Sequence, residues 1–418
     1  MDDVIFSSET ECLQMLDMLV VGGGYVGLSV AVAVKQSAPH LAVEVVEAAP
    51  EHVWEKDERA SAVIAAATRM LQVLNVWDEI LPEAQPINSM IVTDSRTSDP
   101  VRPVFLTFDG EVEEGRPFAH MIPNVAMVRA LRSACARLGI TIRHGISATG
   151  FETANTRTTV SFSDGSTLDT RLLVACDGVR SKLRDMAGIR TVTWGYGQSG
   201  IVTTVAHERP HDGVAEEHFL PSGPFAILPL TGNRSSLVWT ERTAEAERLV
   251  TSDDLVFEAE LQRRFGHKLG EISIAGSRKA FPLGLTLSRA FVAPRFALAG
   301  DAAHGIHPIS GQGLNLGFKD VAALAETVVE ADRLGLDIGA LNVLERYQSW
   351  RRFDTFRMGV TTDVLNRLFS NDVTPIRIAR DFGLGLVERM PKLKSYFIDQ
   401  AAGTSGRDRP KLLSGEAI

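Results

Sequence analysis

The sequence is poor in the features that would mark a metal scaffold, a disulfide-stapled secreted domain, a nucleic-acid binder or a membrane span. Its 418 residues hold 3 cysteines, Cys12, Cys135 and Cys176. An odd number without C-x-x-C spacing indicates neither a zinc site nor a disulfide framework, and fits a reducing cytoplasm. Basic charge is short as well: 43 Lys and Arg against 52 Asp and Glu leave a formal net charge of -9. That balance disfavours a nucleic-acid partner, because such binding neutralises phosphates with cations. The apolar uncharged run MLVVGGGYVGLSVAVAV at residues 18–34 falls short of the ~20 apolar residues a spanning helix needs. Asp2, Asp3, Glu9, Glu11 and Asp17 precede it, where a signal peptide would carry basic residues.

The remainder is ordinary for a soluble enzyme, with 44% hydrophobic and 23% charged residues, so disorder is expected only at the ends. The length exceeds what one hydrophobic core usually organises and predicts two packed domains or one domain with a large insertion. Residues 1–16 read as an N-terminal tail.

The run at 18–34 resolves into strand, turn and helix. Residues 18–21 suit a buried parallel strand, Gly22, Gly24 and Gly27 follow in G-x-G-x-x-G spacing, and small residues continue to Val34. The first glycine permits the tight turn, the second lets a pyrophosphate approach the backbone, and the third lets helix and strand pack closely. The free N–H groups of the helix start face the phosphate. The next strand, residues 41–46, ends at Glu47, where an acid that binds the adenosine ribose belongs. These residues predict a dinucleotide site and leave NAD and FAD both open.

Two later segments repeat the strand-then-turn arrangement. RLLVAC at 171–176 leads into DGVRSKLR, and a strand at 295–299 leads into GDAAHGIHPISGQGLNLGFKD at 300–320. Taken alone, the first is an ordinary Asp-Gly turn. An N-terminal GxGxxG, a central DGxxSxxR and a late GDAAHxxHPxxGQGxNxGxxD, in that order, resemble the single-component FAD-dependent aromatic hydroxylases, the class A flavoprotein monooxygenases related to para-hydroxybenzoate hydroxylase. KDERASAV (56–63), LQVLNVW (71–77), FLPSGPFAILPL (219–230), SSLVWT (235–240), RLFSND (367–372) and PKLLSG (410–415) resemble the ubiquinone-biosynthesis branch of that family.

The resemblance implies FAD as cofactor, NAD(P)H as electron donor and O2 as co-substrate. It implies Gly22, Gly24 and Gly27 at the pyrophosphate, Glu47 at the adenosine ribose and Arg59 near the pyrophosphate; taken alone, Arg59 could equally be a solvated surface charge. Asn124 matches a polar position near the ribityl chain, although an N-cap asparagine would look the same. Asp177 matches the turn that supports FAD, with Ser181 and Arg184 as braces, and Gly300 and Asp301 match the turn whose acid hydrogen-bonds the ribityl hydroxyls. Pro308, Gly311, Gln312, Gly313, Leu314 and Asn315 match the loop and helix start beside the flavin ring. No side chain need act as nucleophile, because the chemistry belongs to the cofactor. Glycines let a flat ring lie against backbone, and a helix beginning near Leu314 and ending by Gly335 would turn its positive end toward the reduced ring.

His304 and His307, with Asp301, raise the question of a two-histidine, one-carboxylate metal site. Gly305 and Pro308 break the helix that would present both rings, and the flavin motif accounts for the same residues. No metal is expected; the imidazoles are read as structural partners of the loop, with substrate deprotonation by His307 as the alternative.

The expected fold is mixed α/β. A Rossmann-like FAD-binding βαβ domain (17–89, 121–190 and 278–344) is interleaved with a mostly antiparallel β-sheet substrate domain (90–120 and 191–277), and a C-terminal helical region and tail follow (345–418). The resemblance implies hydroxylation of an electron-rich ring, a polyprenyl phenol of ubiquinone biosynthesis, through a flavin hydroperoxide formed from O2. The alternatives are another aromatic or polyketide substrate, or a non-catalytic FAD-binding assembly protein. A poorly soluble substrate implies peripheral contact with the inner face of the membrane, or a ubiquinone-biosynthesis protein complex as partner. The stretch at 367–394 mixes apolar and basic residues and reads first as core helix packing.

Overall fold

The first strand follows from the apolar run LDMLVV: Leu16–Val21, almost wholly buried, pairs in parallel with Val43–Glu47 on one side and with Thr167–Ala175 on the other. The computed structural model describes residues 15–94, 104–109, 111–113, 116–306, 312–370 and 410–418. Leu16, assigned from sequence to the tail, is therefore the first residue of the central strand, held by its pairing with Thr170. Thr141–His144 adds in parallel outside Val43–Glu47. The long strand Thr167–Ala175 forks along its other edge. Its first half pairs antiparallel with Thr158–Phe162, and its second half pairs in parallel with Phe296–Leu298. Both Asp-Gly and Gly-Asp turns thus leave the same end of the same sheet as Gly22.

Helix Tyr25–Ser37 is buried from Gly27 to Val34 because nearly every residue in it is small or apolar, the pattern of a helix enclosed on all sides. It packs against helix Gln312–Arg333 and helix Asn124–Arg137. Helix Leu341–Phe369 lies against Gln312–Arg333 in turn.

The second sheet has, among the described residues, the order 304–305, 279–288, 191–207, 234–242, 223–230, 214–220, 89–94, 104–109, with Ile272–Ile274 beside 191–207. Its pairs are antiparallel except Ser89–Asp94 against Val214–Leu220, which run parallel. One face carries Phe225, Ile227, Leu237 and Trp239, which pack on Ala246, Leu249, Phe257 and Leu261 of the two helices that follow the Arg234–Arg242 strand. The opposite face looks toward the cofactor region. Between the two large sheets lies a small one, Ala60–Ile64, Ala119–Pro123 and Gln85–Ile87.

Two placements differ from the sequence reading. Residues 279–288, expected in the cofactor region, form a strand of the second sheet, because their backbone pairs with the long Thr191–His207 strand over most of its length. Residues 410–418, expected as a tail, return to the cofactor layer. Leu412 and Leu413 are buried, the Lys411 N–H donates to Glu326 Oε2 at 2.8 Å, and Arg333 donates to the Ile418 carbonyl at 2.9 Å.

Candidate active site

The glycine turn after the first strand shows different constraints at its three motif positions. Gly22 has φ +118°, and a Cβ there would stand 2.3 Å from the Cys176 carbonyl oxygen. At Gly27 a Cβ would lie 2.0 Å from the Gly22 carbonyl oxygen, so a side chain would force helix and strand apart. Gly24 is the opposite case: nothing lies within 4 Å of a Cβ there, and the loop faces open space. Glu47 ends its strand beside this turn, its Oε2 accepting from the Gly23 N–H at 2.6 Å and its Oε1 from the Ala49 N–H at 2.8 Å.

A polar cluster stands on the other side of the turn. Arg59 donates from Nε and Nη2 to the two Asp57 carboxylate oxygens at 2.7 and 2.8 Å. Asn124 donates to Asp57 Oδ2 at 3.1 Å and accepts from the Ser61 hydroxyl at 2.8 Å. The helix cap is Pro123, so the Asn124 amide serves this cluster rather than the helix end. Asp57, which burial alone would push up, is held below the usual carboxylate range by Arg59 and Asn124.

At the second turn, Asp177 accepts from the Leu183 N–H at 3.4 Å through Oδ2, while its Oδ1 is buried with no partner among the described residues. Ser181 caps the following short helix, accepting from the Arg184 N–H at 3.0 Å. Arg184 donates to the Val179 and Ala302 carbonyls, both at 3.1 Å. It joins the second turn to the third, the geometry of a brace.

The third turn rests on a buried carboxylate. Gly300 has φ +63° with Val26 against it, and its N–H donates to Asp320 Oδ2 at 2.9 Å. The same oxygen lies 2.6 Å from His304 Nε2, while Asp320 Oδ1 accepts from Arg351 Nε at 2.7 Å. Burial raises the Asp320 pKa, but His304 and Arg351 hold it lowered overall. His304 is thus bound through Nε2 to a carboxylate behind the loop, fully buried, while its Nδ1 has no partner among the described residues. Asp301, one residue past Gly300, is exposed to the open space of a chamber; the protein packed around it pushes its carboxyl up, with His304 and Arg59 pulling against that shift. His307, Pro308 and Gly311 lie outside the described residues.

Helix Gln312–Arg333 begins where the sequence places a helix start, and Gln312, Gly313 and Leu314 line the same chamber as Asp301. Asn315 does not face it. Its amide donates to the Ala62 carbonyl at 2.9 Å and accepts from the Ile64 N–H at 3.1 Å, pinning the Ala60–Ile64 strand to the helix start.

The chamber has a volume of about 560 Å³. Asp301, Tyr25 and the first turn of the 312–333 helix form one wall, and the inward face of the second sheet forms the other. That sheet wall is mainly apolar, with Ala215, Ala226, Leu228 and Val238, and its polar side chains are Glu217, Thr240, Thr193, Thr286 and the Trp194 indole. Glu217 is 4% exposed, and burial pushes its carboxyl up to about 7.

Three glycine-bearing turns at one sheet edge, open space at Gly24 and an orphaned oxygen at Asp177 fit a bound dinucleotide. Residues 15–349 match the FAD-binding domain family. Over 96% of its length the chain is 43% identical to the ubiquinone hydroxylase UbiL of Rhodospirillum rubrum, covering 93% of that protein. The chain belongs to the FAD-dependent aromatic hydroxylases of ubiquinone biosynthesis. It is also 32% identical to the 3-demethoxyubiquinol 3-hydroxylase of Escherichia coli, over 93% of this chain and 99% of that one. The crystal structure of p-nitrophenol 4-monooxygenase from Pseudomonas putida superposes with TM-score 0.77 at 18% identity, covering 94% of this chain and 99% of that one, and shows the shared fold.

In this hydroxylase the structure gathers Gly22, Gly24, Gly27 and Glu47 at one turn, and Arg59 with Asn124 beside it. Asp177 and Gly300 stand at the neighbouring turns, with Asp301, Gln312, Gly313 and Leu314 on the chamber wall. Sequence reading missed Asp57, Asp320, Arg351 and Glu217. Asp57 and Asp320 were visible as members of quoted motifs; Arg351 and Glu217 carry no local signal, because their partners or surroundings come from distant strands and helices.

Proposed function

We propose that the chain hydroxylates the ring of a prenylated phenol of ubiquinone biosynthesis, with NAD(P)H as electron donor and O2 as co-substrate. The observation that carries this reading is a chamber in which Asp301 and Gln312–Leu314 face a mainly apolar sheet wall. FAD, when bound, supplies the redox chemistry and the activated oxygen. Gly22, Gly24 and Gly27 hold its pyrophosphate, Glu47 its adenosine ribose, and Asp301 the ribityl hydroxyls. Arg59 approaches the pyrophosphate, oriented by Asp57, while Asn124 keeps Asp57 in place. Asp177 turns its free oxygen toward the cofactor. The helix start at Gln312 turns a positive dipole end toward the ring's edge, worth typically about 0.3–1 kcal/mol, and up to about 2 when partly buried. Ala215, Leu228 and Val238 keep water from the reacting ring.

Contact with a membrane surface or a pathway assembly follows from the insolubility of such a substrate. Among the described residues no helix is long and apolar enough to cross a membrane. Helix Leu341–Phe369 presents Phe353, Phe356, Val360 and Val364 to solvent, with Phe353 74% exposed. That stripe supports a peripheral contact.

The test uses purified protein loaded with FAD, NADPH and 2-geranylphenol. The expected result is oxygen consumption that depends on the phenol and a product heavier by one oxygen. Oxygen uptake indifferent to the phenol would overturn the substrate reading. Rescue of a ubiquinone-deficient strain, with identification of the precursor that disappears, separates this pathway from other aromatic substrates.

A further inference from the structure

The carboxyl of Glu217 has no assigned duty, and its surroundings make it costly to keep. Strand Val214–Leu220 alternates between two environments. Glu216 and His218 face away from the chamber, Glu216 toward Lys268 and His218 toward the Thr93 hydroxyl. Glu217 faces into it. Its cross-strand neighbours are Val92 and Ala226, and the residue opposite Ala226 on the next strand is Val238. None of these side chains can donate a hydrogen bond, and no donor reaches the Glu217 carboxyl among the described residues. Thr240, farther along the same wall, has its hydroxyl oxygen buried without a partner as well.

Buried polar groups in folded proteins almost always have partners, and an unpartnered one costs free energy. Here two sit on the mainly apolar part of the substrate wall built by the Val214–Leu220, Gly223–Leu230 and Arg234–Arg242 strands. A ligand hydroxyl would satisfy what the protein leaves open. We propose that Glu217 anchors the substrate by accepting a hydrogen bond from the ring hydroxyl, so that the chamber selects neutral rings bearing an O–H donor over O-alkylated or carboxylated ones. The inference rests on the prenylated-phenol reading above and names the residue that recognises the phenol. An ether lacks the donor, and an anionic ring would meet a second negative charge in a dry cavity. Drawing the O–H toward the carboxylate also leaves more electron density on the ring. The raised pKa of Glu217 supports this role, because a carboxyl kept near neutrality changes its acceptor strength within the working pH range.

The other ionisable groups around it are few. Asp94 lies on the same face of the adjacent Ser89–Asp94 strand, two positions beyond Val92, and Asp301 and Tyr25 stand on the opposite wall. From the Gly223–Leu230 and Arg234–Arg242 strands only Pro, Ala, Leu, Val and Thr side chains line the chamber.

The test compares FAD-loaded unmodified protein with E217Q and E217L, using 2-geranylphenol and its methyl ether between pH 6 and 9. Dissociation constants come from the perturbation of flavin absorbance, and flavin content verifies the fold of each variant. Unmodified protein is expected to bind the phenol about ten-fold or more tightly than the ether, as a hydrogen bond to a charged group predicts. Phenol binding should weaken as pH falls through about 7. E217L should bring the two ligands within about three-fold of each other by removing that bond, and E217Q should lose the pH dependence. If unmodified protein prefers the phenol and E217L keeps that preference with flavin bound, the Glu217 assignment is wrong while the substrate reading stands. If the unmodified holoprotein binds neither ligand, the substrate reading falls and the assignment falls with it.

Discussion

The cofactor cradle and the substrate wall are built on opposite principles. In the cradle, function depends on side chains that are absent: Gly22 and Gly27 have backbone oxygens within 2.3 Å of where a Cβ would be, and Gly24 faces a space kept open. On the substrate wall, function depends on side chains without a protein partner among the described residues: Glu217, whose carboxyl meets only burial, and Thr240, whose hydroxyl is buried unpaired. The first kind of site is fixed by local sterics. The second is fixed by which strands happen to meet.

The largest test of this contrast lies behind the cradle. Asp320→Ala strips the buried partner of Arg351 and His304 and unties the Gly300 N–H. Calorimetry or denaturant titration should show a loss of about 3–5 kcal/mol, the cost of leaving a buried charge uncompensated. A loss under about 1 kcal/mol would mean that the network does not support the third turn.

On the substrate wall the expected effect depends on pH. The folded-state pKa of Glu217 is raised above its unfolded value, so the group's favourable contribution to folding is complete below about 4.5 and is lost as pH rises through about 7. Glu217→Gln removes that dependence. Its stability relative to the unmodified protein should therefore improve between pH 5 and pH 8, by up to about 3 kcal/mol. A difference in melting temperature that is flat with pH would contradict the assignment of a neutral-leaning carboxyl.

The glycines sharpen the comparison from the other side. Gly27→Ala should cost about 1–3 kcal/mol through the clash with the Gly22 carbonyl, even without cofactor. Gly24→Ala, which meets no protein atom, should leave the apoprotein within about 0.5 kcal/mol yet weaken FAD binding. If both variants lose stability equally, the turn has some use other than making room. A smaller effect is expected for Asp301→Ala: flavin affinity falls by about ten-fold or more, as loss of hydrogen bonds to a charged group predicts, with the fold intact. Equal flavin retention by this variant and the unmodified protein would refute the ribityl assignment.

These differences explain what could be read in the sequence. Gly22, Gly24, Gly27 and Glu47 were legible because a tight turn, a close backbone approach and a strand-terminal acid are imposed at fixed local spacing. The 312–333 helix was legible from its apolar period and the glycines before it. The placement of 279–288 was not, because a strand's sheet is chosen by a partner far along the chain, here Thr191–His207. Glu217 was hidden for a related reason. Both faces of its strand are covered, so alternation alone could not tell whether Glu216 or Glu217 pointed toward ligand. His304 drew notice for its chemistry, and its actual partner, Asp320, lay unremarked at the end of the same motif.

The brace between Asn315 and the Ala60–Ile64 strand has a consequence for the timing of assembly. It spans 251 residues of chain from Ile64, and on a ribosome that interval is roughly ten to fifty seconds of synthesis. Until the later segment emerges, the Ala60–Ile64 strand has no helix start to be pinned to. The nascent chain must wait in that condition, with the apolar faces of its earliest strands open to chaperones. Flavin loading is therefore expected as a late event, made possible by the last third of the polypeptide rather than by the motif that announces it.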